Sequence, residues 1–169
     1  KQEETLTSTE SPMVIIQKIY LDGNFAVEEL APQLNQLGIM LPYCGLLHLL
    51  AVELGIPIVA TSGNIHASPI ISDADTAHQE LGEVADYFLD HNLEITNPQD
   101  DSVVKFSHRF QEKVIFRRSR GLSPNFDVEV TTNQKILAMG GHLKSTLAFT
   151  PNDYLYISQY LGNLDHFDV

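Results

Sequence analysis

Ile56-Pro57-Ile58-Val59-Ala60 runs without a polar side chain into Thr61-Ser62-Gly63-Asn64. An unbroken apolar run closed by small polar residues is the pattern of a strand buried on both faces of an α/β sheet. In open sheets of that class, ligands bind in the crevice beyond the carboxyl ends of the strands, where Thr61–Asn64 would stand. Gly63 permits a sharp turn and a close approach of the backbone to a ligand. Ser62 and Asn64 add a hydroxyl and a carboxamide, which bond phosphate or carbonyl oxygens without adding charge. The same tetrapeptide also reads as an ordinary polar turn.

The flanking segments alternate between strand and helix patterns. Before the run, Met13–Ile19 is apolar and β-prone and ends at the turn Asp22-Gly23-Asn24. Phe25–Leu37 starts with helical spacing that Pro32 must end, and Gly38–Pro42 is extended. Gly45–Leu54 is apolar at helical spacing and stops at Gly55. After the run, Asp73 or Asp75 caps a helix whose buried stripe is Leu81, Val84, Ala85, Phe88 and Leu89. Strands follow over Ser102–Ser107 and Lys113–Arg118. This alternation predicts an α/β fold, an open twisted mixed sheet with flanking helices, over residues 12–125. Residues 1–11 read as a linker or disordered arm, and 126–134 as a second linker. Residues 135–169 carry strands at Ile136–Met139 and Thr146–Thr150, then the turn Pro151-Asn152-Asp153 into Tyr154–Tyr160. That is a β-hairpin opening a second domain, too small to stand alone.

Composition narrows the function. Hydrophobic residues at 43% and charged residues at 19% are the balance of a globular chain with a core. No apolar run approaches the roughly 20 residues of a membrane-spanning helix, so no membrane role is expected. Lys1–Glu10 is polar and lacks the apolar centre of a signal peptide. A single cysteine, Cys44, excludes an internal disulfide framework and fits a cytoplasmic protein. The net charge of −12 opposes nucleic-acid binding outside one basic cluster near Arg117.

That cluster, Arg117-Arg118-Ser119-Arg120-Gly121, holds three of the ten basic residues. Guanidinium forks grip phosphate oxygens in pairs, which makes it a candidate for nucleotide phosphates; surface salt bridges are the plainer alternative. Asp100-Asp101-Ser102 sets two carboxylates and a hydroxyl before a strand. The acids suit magnesium binding, proton transfer or a solvated turn, and Ser102 suits a phosphate contact. His48 reads as a packed, hydrogen-bonded histidine and Cys44 as a buried thiol. The histidines show no metal-ligand spacing, and no nucleophile motif, dinucleotide fingerprint or Walker loop is present. The residues by themselves give an α/β domain with donors for a phosphorylated ligand.

Several segments in order resemble the HypF family of carbamoyltransferases, which act in [NiFe]-hydrogenase maturation. They are Leu37–Tyr43 with Leu47–Leu50, Thr61–Asn64, Ala85–Asn92, Asp100–Val104, Arg117–Gly121 with Pro124, Gly140–Thr146 and Ser158–Leu164. The resemblance spans roughly residues 12 to 165. It implies the later part of a YrdC-like domain, incomplete at its N-terminal side, followed by the first hairpin of a kinase-like one. It further implies ATP (with magnesium bound through the nucleotide) and carbamoyl phosphate as substrates, carbamoyl adenylate as intermediate, and a cysteine of a HypE-type protein as acceptor. By position, Ser62 and Asn64 would line the nucleotide and carbamoyl pocket. Ser102 and Arg117 would contact phosphates, with Arg118 and Arg120 supporting or steering. Lys144 and Thr146 would belong to the phosphate hairpin of the neighbouring domain.

The sequence departs from the family pattern at Leu93, at Pro98 and at His66-Ala67, and it lacks the upstream basic motif. Those departures raise a competing reading, a degenerate non-catalytic binding or assembly module, and lead to an expectation of low activity in the isolated chain. A threonylcarbamoyl-adenylate synthase relative is opposed by the hairpin after residue 135. A sheet cut short in this way is also expected to dimerise through an exposed edge.

Overall fold

The computed structural model describes the chain apart from residues 22–24, 27–28, 66–67, 69, 97, 124–131, 133, 143–144, 152–153, 160 and 162–169. The described residues form two compact units. One is Lys1–Ile58 with Asp101–Leu122, the other Val59–Asp100 with Ser123–Val169.

The first unit is built on a four-stranded mixed sheet. β1 (Met13–Gln17) pairs antiparallel with β2 (Gln36–Ile39), in a register that sets Val14 against Ile39 and Gln17 against Gln36. On its other side β1 pairs in parallel with β3 (Val103–Phe106), Met13 lying against Val103. β4 (Lys113–Arg117) closes the order β2-β1-β3-β4 by an antiparallel pairing with β3. That last pairing slips between Val103 and Val104, a bulge at the point where the chain carries Ser102 and Arg117.

Side chains alternate across a strand, so Val104 and Phe106 share one face, and Val14 and Ile16 the same face of β1. Val14, Val104 and Phe106 are the buried core, with Leu6, Ile16 and Leu122 packed on it. Each such side chain contributes roughly 1.5–3 kcal/mol when fully withdrawn from water. On the opposite face, Lys105 donates to Gln36 Oε1 at 3.1 Å. Leu6 explains a departure from expectation at the N-terminus. Residues 1–11 were expected as a linker or arm, yet Gln2–Leu6 is a short helix, α1, anchored by that leucine against the core.

The helix α2 (Gly45–Leu54) ends where Gly55 takes φ +63°, a left-handed cap that costs glycine little. It buries no residue: Leu46, Leu49, Leu50, Val52 and Leu54 are all exposed. Cys44, expected to be buried, is the exposed residue preceding this helix, and His48 is exposed on it rather than packed. Ile56–Ala60, expected as a buried strand, joins neither sheet, and Ile56, Ile58 and Val59 are exposed. A strand exists only through a hydrogen-bonded neighbour, and no described strand lies beside this run. The helix expected near residue 30 is reduced to a turn, with Glu29 and Leu30 both donating to the Ala26 carbonyl. The expected turn at 22–24 lies outside the described residues.

In the second unit, α3 (Ala74–Leu81) starts at Asp73, which accepts from Thr76 N at 2.8 Å and so settles the choice of cap. The helix stops at Gly82, so it includes only Leu81 of the expected stripe, and Val84 and Leu89 are exposed. Phe88 instead lies 4.3 Å from the His78 ring, and His78 Nε2 is 2.8 Å from Asp90 Oδ2. The unit also holds a three-stranded antiparallel sheet of β5 (Ile136–Met139), β6 (Leu147–Thr150) and β7 (Tyr156–Ile157). The expected hairpin thus gains a third strand. Among the described residues, no helix is long and apolar enough to cross a membrane.

Candidate functional site

The first unit gathers five of the residues singled out in the sequence. Ser102 and Asp101 enter β3, and Arg117, Arg118 and Arg120 leave β4 beside them. Ser102 is fully buried. Its hydroxyl donates to the Arg120 carbonyl at 2.8 Å and accepts from Ser119 N at 2.9 Å, while its carbonyl accepts from Met13 N at 2.8 Å. One small side chain therefore pins the turn after β4 to the start of β3.

Asp101 pins the same turn by charge. Arg117 Nε donates to the Asp101 carbonyl at 2.6 Å. Arg120 donates to the Asp101 carboxylate through Nη2 at 2.8 Å and Nε at 3.3 Å, and to the Ser11 carbonyl through Nη2 at 3.1 Å. Its guanidinium carbon also lies 3.7 Å from the centre of the Tyr43 ring. Both members of the Arg120–Asp101 pair are about three-quarters shielded, which makes it firmer than an exposed ion pair. Gly121 follows at φ +84°, and a Cβ there would strike the Glu10 carbonyl, so only glycine fits. Burial pushes the Arg118 guanidinium below its ordinary pKa, though such a group stays charged at neutral pH. Three guanidiniums gather in this turn, a concentration of positive charge in a chain of net charge −12.

The second unit holds Ser62 and Asn64. Ser62 Oγ donates to Asn64 Oδ1 at 2.5 Å, and Asn64 Nδ2 donates to the carbonyls of Ile65 and Ser68, both at 2.9 Å. Ile71 N reaches the Gly63 carbonyl at 3.0 Å. Asn64 thereby closes its own loop, and Ser62, exposed, stands at the outer surface. Thr146 immediately precedes β6, and Gly140 packs against its backbone so closely that a Cβ has no room. Lys144 lies outside the described residues.

Two features escaped the sequence reading. Asp101, whose sequence context suits a solvated turn, proton transfer or a metal, is the hub of the arginine turn. Tyr43 covers the face of Arg120, and no local pattern links residues that far apart in the chain. Among the described residues, no three His, Cys, Asp or Glu side chains gather as a metal site. A magnesium ion bound through phosphate oxygens needs no such set.

The model of the Sua5/YciO/YrdC family, described as telomere recombination, matches residues 1–119, and that of the HypF Kae1-like domain matches 131–169. The probable carbamoyltransferase HypF of Methanocaldococcus jannaschii is 36% identical over 99% of this chain and 22% of its own length. The carbamoyltransferase HypF of Synechocystis is 39% identical over 96% of this chain and 21% of its own. A full-length HypF crystallised in a phosphate- and nucleotide-bound form superposes with a TM-score of 0.83 at 38% identity, covering 97% of this chain and 25% of that one. The chain thus spans about a fifth of the length of the curated relatives it matches. It belongs to the Sua5/YciO/YrdC family, in the HypF-type arrangement in which that domain runs on into a Kae1-like one.

Proposed function

We propose that this chain is the nucleotide-handling segment of a hydrogenase-maturation carbamoyltransferase, a cytoplasmic enzyme. ATP and carbamoyl phosphate give carbamoyl adenylate, and the carbamoyl group passes to a cysteine of a HypE-type acceptor. The observation that carries this reading is the positive turn Arg117–Gly121, braced from within by Ser102 and Asp101. A turn held from behind keeps its cationic groups pre-organised for phosphate, so little ordering is left to be done on binding. The likeness to a HypF solved with phosphate and nucleotide bound supports the choice of ligand.

Within this reading, Arg117 contacts the phosphates and Arg118 steers them. Arg120 and Ser102 act through the turn they hold, because their polar atoms are spent inside it. Ser62 and Asn64 take part in nucleotide and carbamoyl recognition, and Lys144 and Thr146 serve the phosphate hairpin of the Kae1-like domain. Magnesium arrives on the nucleotide. The outer strand β4, with Val114, Ile115 and Phe116 exposed, is the edge to which a second copy would add.

Calorimetric titration of Mg-ATP, with and without carbamoyl phosphate, tests the reading beside Ser62→Ala and Arg117→Ala. Removing a charged hydrogen-bond partner of phosphate costs about 1.5–3 kcal/mol, so R117A should weaken binding roughly ten- to a hundred-fold. Failure of the folded chain to bind Mg-ATP would leave the non-catalytic module as the better account.

A further inference from the structure

The Arg117–Gly121 turn is reached by a side chain from far along the sequence. Tyr43 stands between β2 and α2, and its ring lies flat enough against Arg120 to bring the guanidinium carbon 3.7 Å from the ring centre. A cation at that range is held by the negative face of the ring. The edges of the same guanidinium are spent on the Asp101 carboxylate and the Ser11 carbonyl. Arg120 is therefore gripped from three sides: a ring on its face, a carboxylate and a carbonyl on its edge. Asp101, in turn, takes Arg117 Nε on its carbonyl at 2.6 Å. The chain of contacts runs from Tyr43 through Arg120 and Asp101 to Arg117.

We infer that Tyr43 is a positioning residue for phosphate binding at Arg117, an inference that rests on the nucleotide-binding reading above. Without the ring, Arg120 keeps its charge but loses the surface that confines its plane. Asp101 then shares the guanidinium with water, and the strand entry that directs Arg117 loosens. The role belongs to the aromatic face, because it is the ring centre that the Arg120 guanidinium meets, on a residue that is 46% exposed. The phenolic hydroxyl takes no part.

The test is titration of Mg-ATP into the whole chain carrying Tyr43→Phe or Tyr43→Leu, with Tyr43→Met in place of the leucine variant should that one not fold. Loss of the ring should weaken binding about three- to thirty-fold, the span of a guanidinium–ring contact, and phenylalanine should restore it to within about twofold. Because the dissociation constant is measured on folded protein, a merely stabilising role would lower the urea midpoint and leave binding unmoved. The Arg120 Nε–H resonance supplies a ligand-free readout, displaced by the ring in the wild type and in Y43F and relaxed in Y43L. Unchanged binding in Y43L, beside saturable binding by the wild type, would overturn this inference and leave the nucleotide reading intact. No binding by the folded wild type would overturn both.

Discussion

Replacing Ser119 with alanine should make the protein more stable, and the opposite should hold for Ser102, the other buried serine of the turn. Both side chains are fully enclosed. Ser119 Oγ finds no hydrogen-bond partner among the described residues. Burying a hydroxyl unpaired costs about 1–3 kcal/mol, and alanine removes that cost while keeping Cβ and the backbone geometry. The vacated space is about one oxygen atom, which at about 24 cal/mol per Å³ subtracts only a few tenths of a kcal/mol. The net expectation for S119A is a gain of about 1–2 kcal/mol. Ser102→Ala does the reverse, since it strands Ser119 N and the Arg120 carbonyl, both of which the hydroxyl satisfies. It should cost about 2–4 kcal/mol. Urea unfolding followed by far-ultraviolet circular dichroism reads both, at a slope of about 1–3 kcal/mol per molar. S119A should raise the midpoint by roughly 0.5–1 M, S102A should lower it by more, and the slope should stay constant. An S119A midpoint that is unmoved or lower would refute the reasoning, because it would mean that the hydroxyl has a partner.

Three further outcomes follow from the same geometry. Gly121→Ala should destabilise by more than about 2 kcal/mol, since a positive φ and the Glu10 carbonyl both exclude a Cβ; a urea midpoint within error of wild type would contradict this. Asp101→Asn keeps the carbonyl that holds Arg117 but removes the charge facing Arg120. It should cost about 1–3 kcal/mol, and added salt should shrink the difference from wild type only in part, given the shielding of the pair. Asp73 is held below the ordinary carboxylate pKa, first by the Thr76 backbone N–H and then by the Thr76 hydroxyl. A depressed folded pKa means that its contribution is complete above the ordinary value of about 3.9 and is lost as pH falls through the folded value. Hydrogen exchange at Thr76 should therefore quicken, after correction for intrinsic rates, only below about pH 4, and D73A should abolish that step.

The features legible in the sequence are those that local chemistry decides. Asp73 caps α3 because its carboxylate reaches a backbone N–H three residues on, and Gly55 ends α2 because it alone tolerates the left-handed turn at little cost. The Arg117–Arg120 turn declared itself by concentrating cations in an acidic chain. Ile56–Ala60 has the pattern of a strand yet joins neither sheet, because apolar residues make a strand only when another strand lies beside them, and the pattern does not report that. Asp101 was ambiguous for a related reason. A carboxylate before a strand looks the same in sequence whether it faces water, a metal or, as here, an arginine from the far end of a hairpin. Tyr43 gave no signal, since its partner lies beyond the reach of any local window.

The parallel pairing of β1 with β3 bears on how the chain is made. β1 can find β2 as soon as Ile39 has emerged from the ribosome, because only residues 18–35 separate the two strands. Its parallel neighbour, which carries Val104 and Phe106, is synthesised later by several seconds at about 5–20 residues per second. Through that interval Val14 and Ile16 lack Val104 and Phe106, and the side of β1 that β3 later pairs offers its backbone groups to any passing strand. The nascent polypeptide is thus a natural client for chaperones over this stretch of translation, and codon changes that slow synthesis between β2 and β3 should lower its soluble yield without altering one residue of the product.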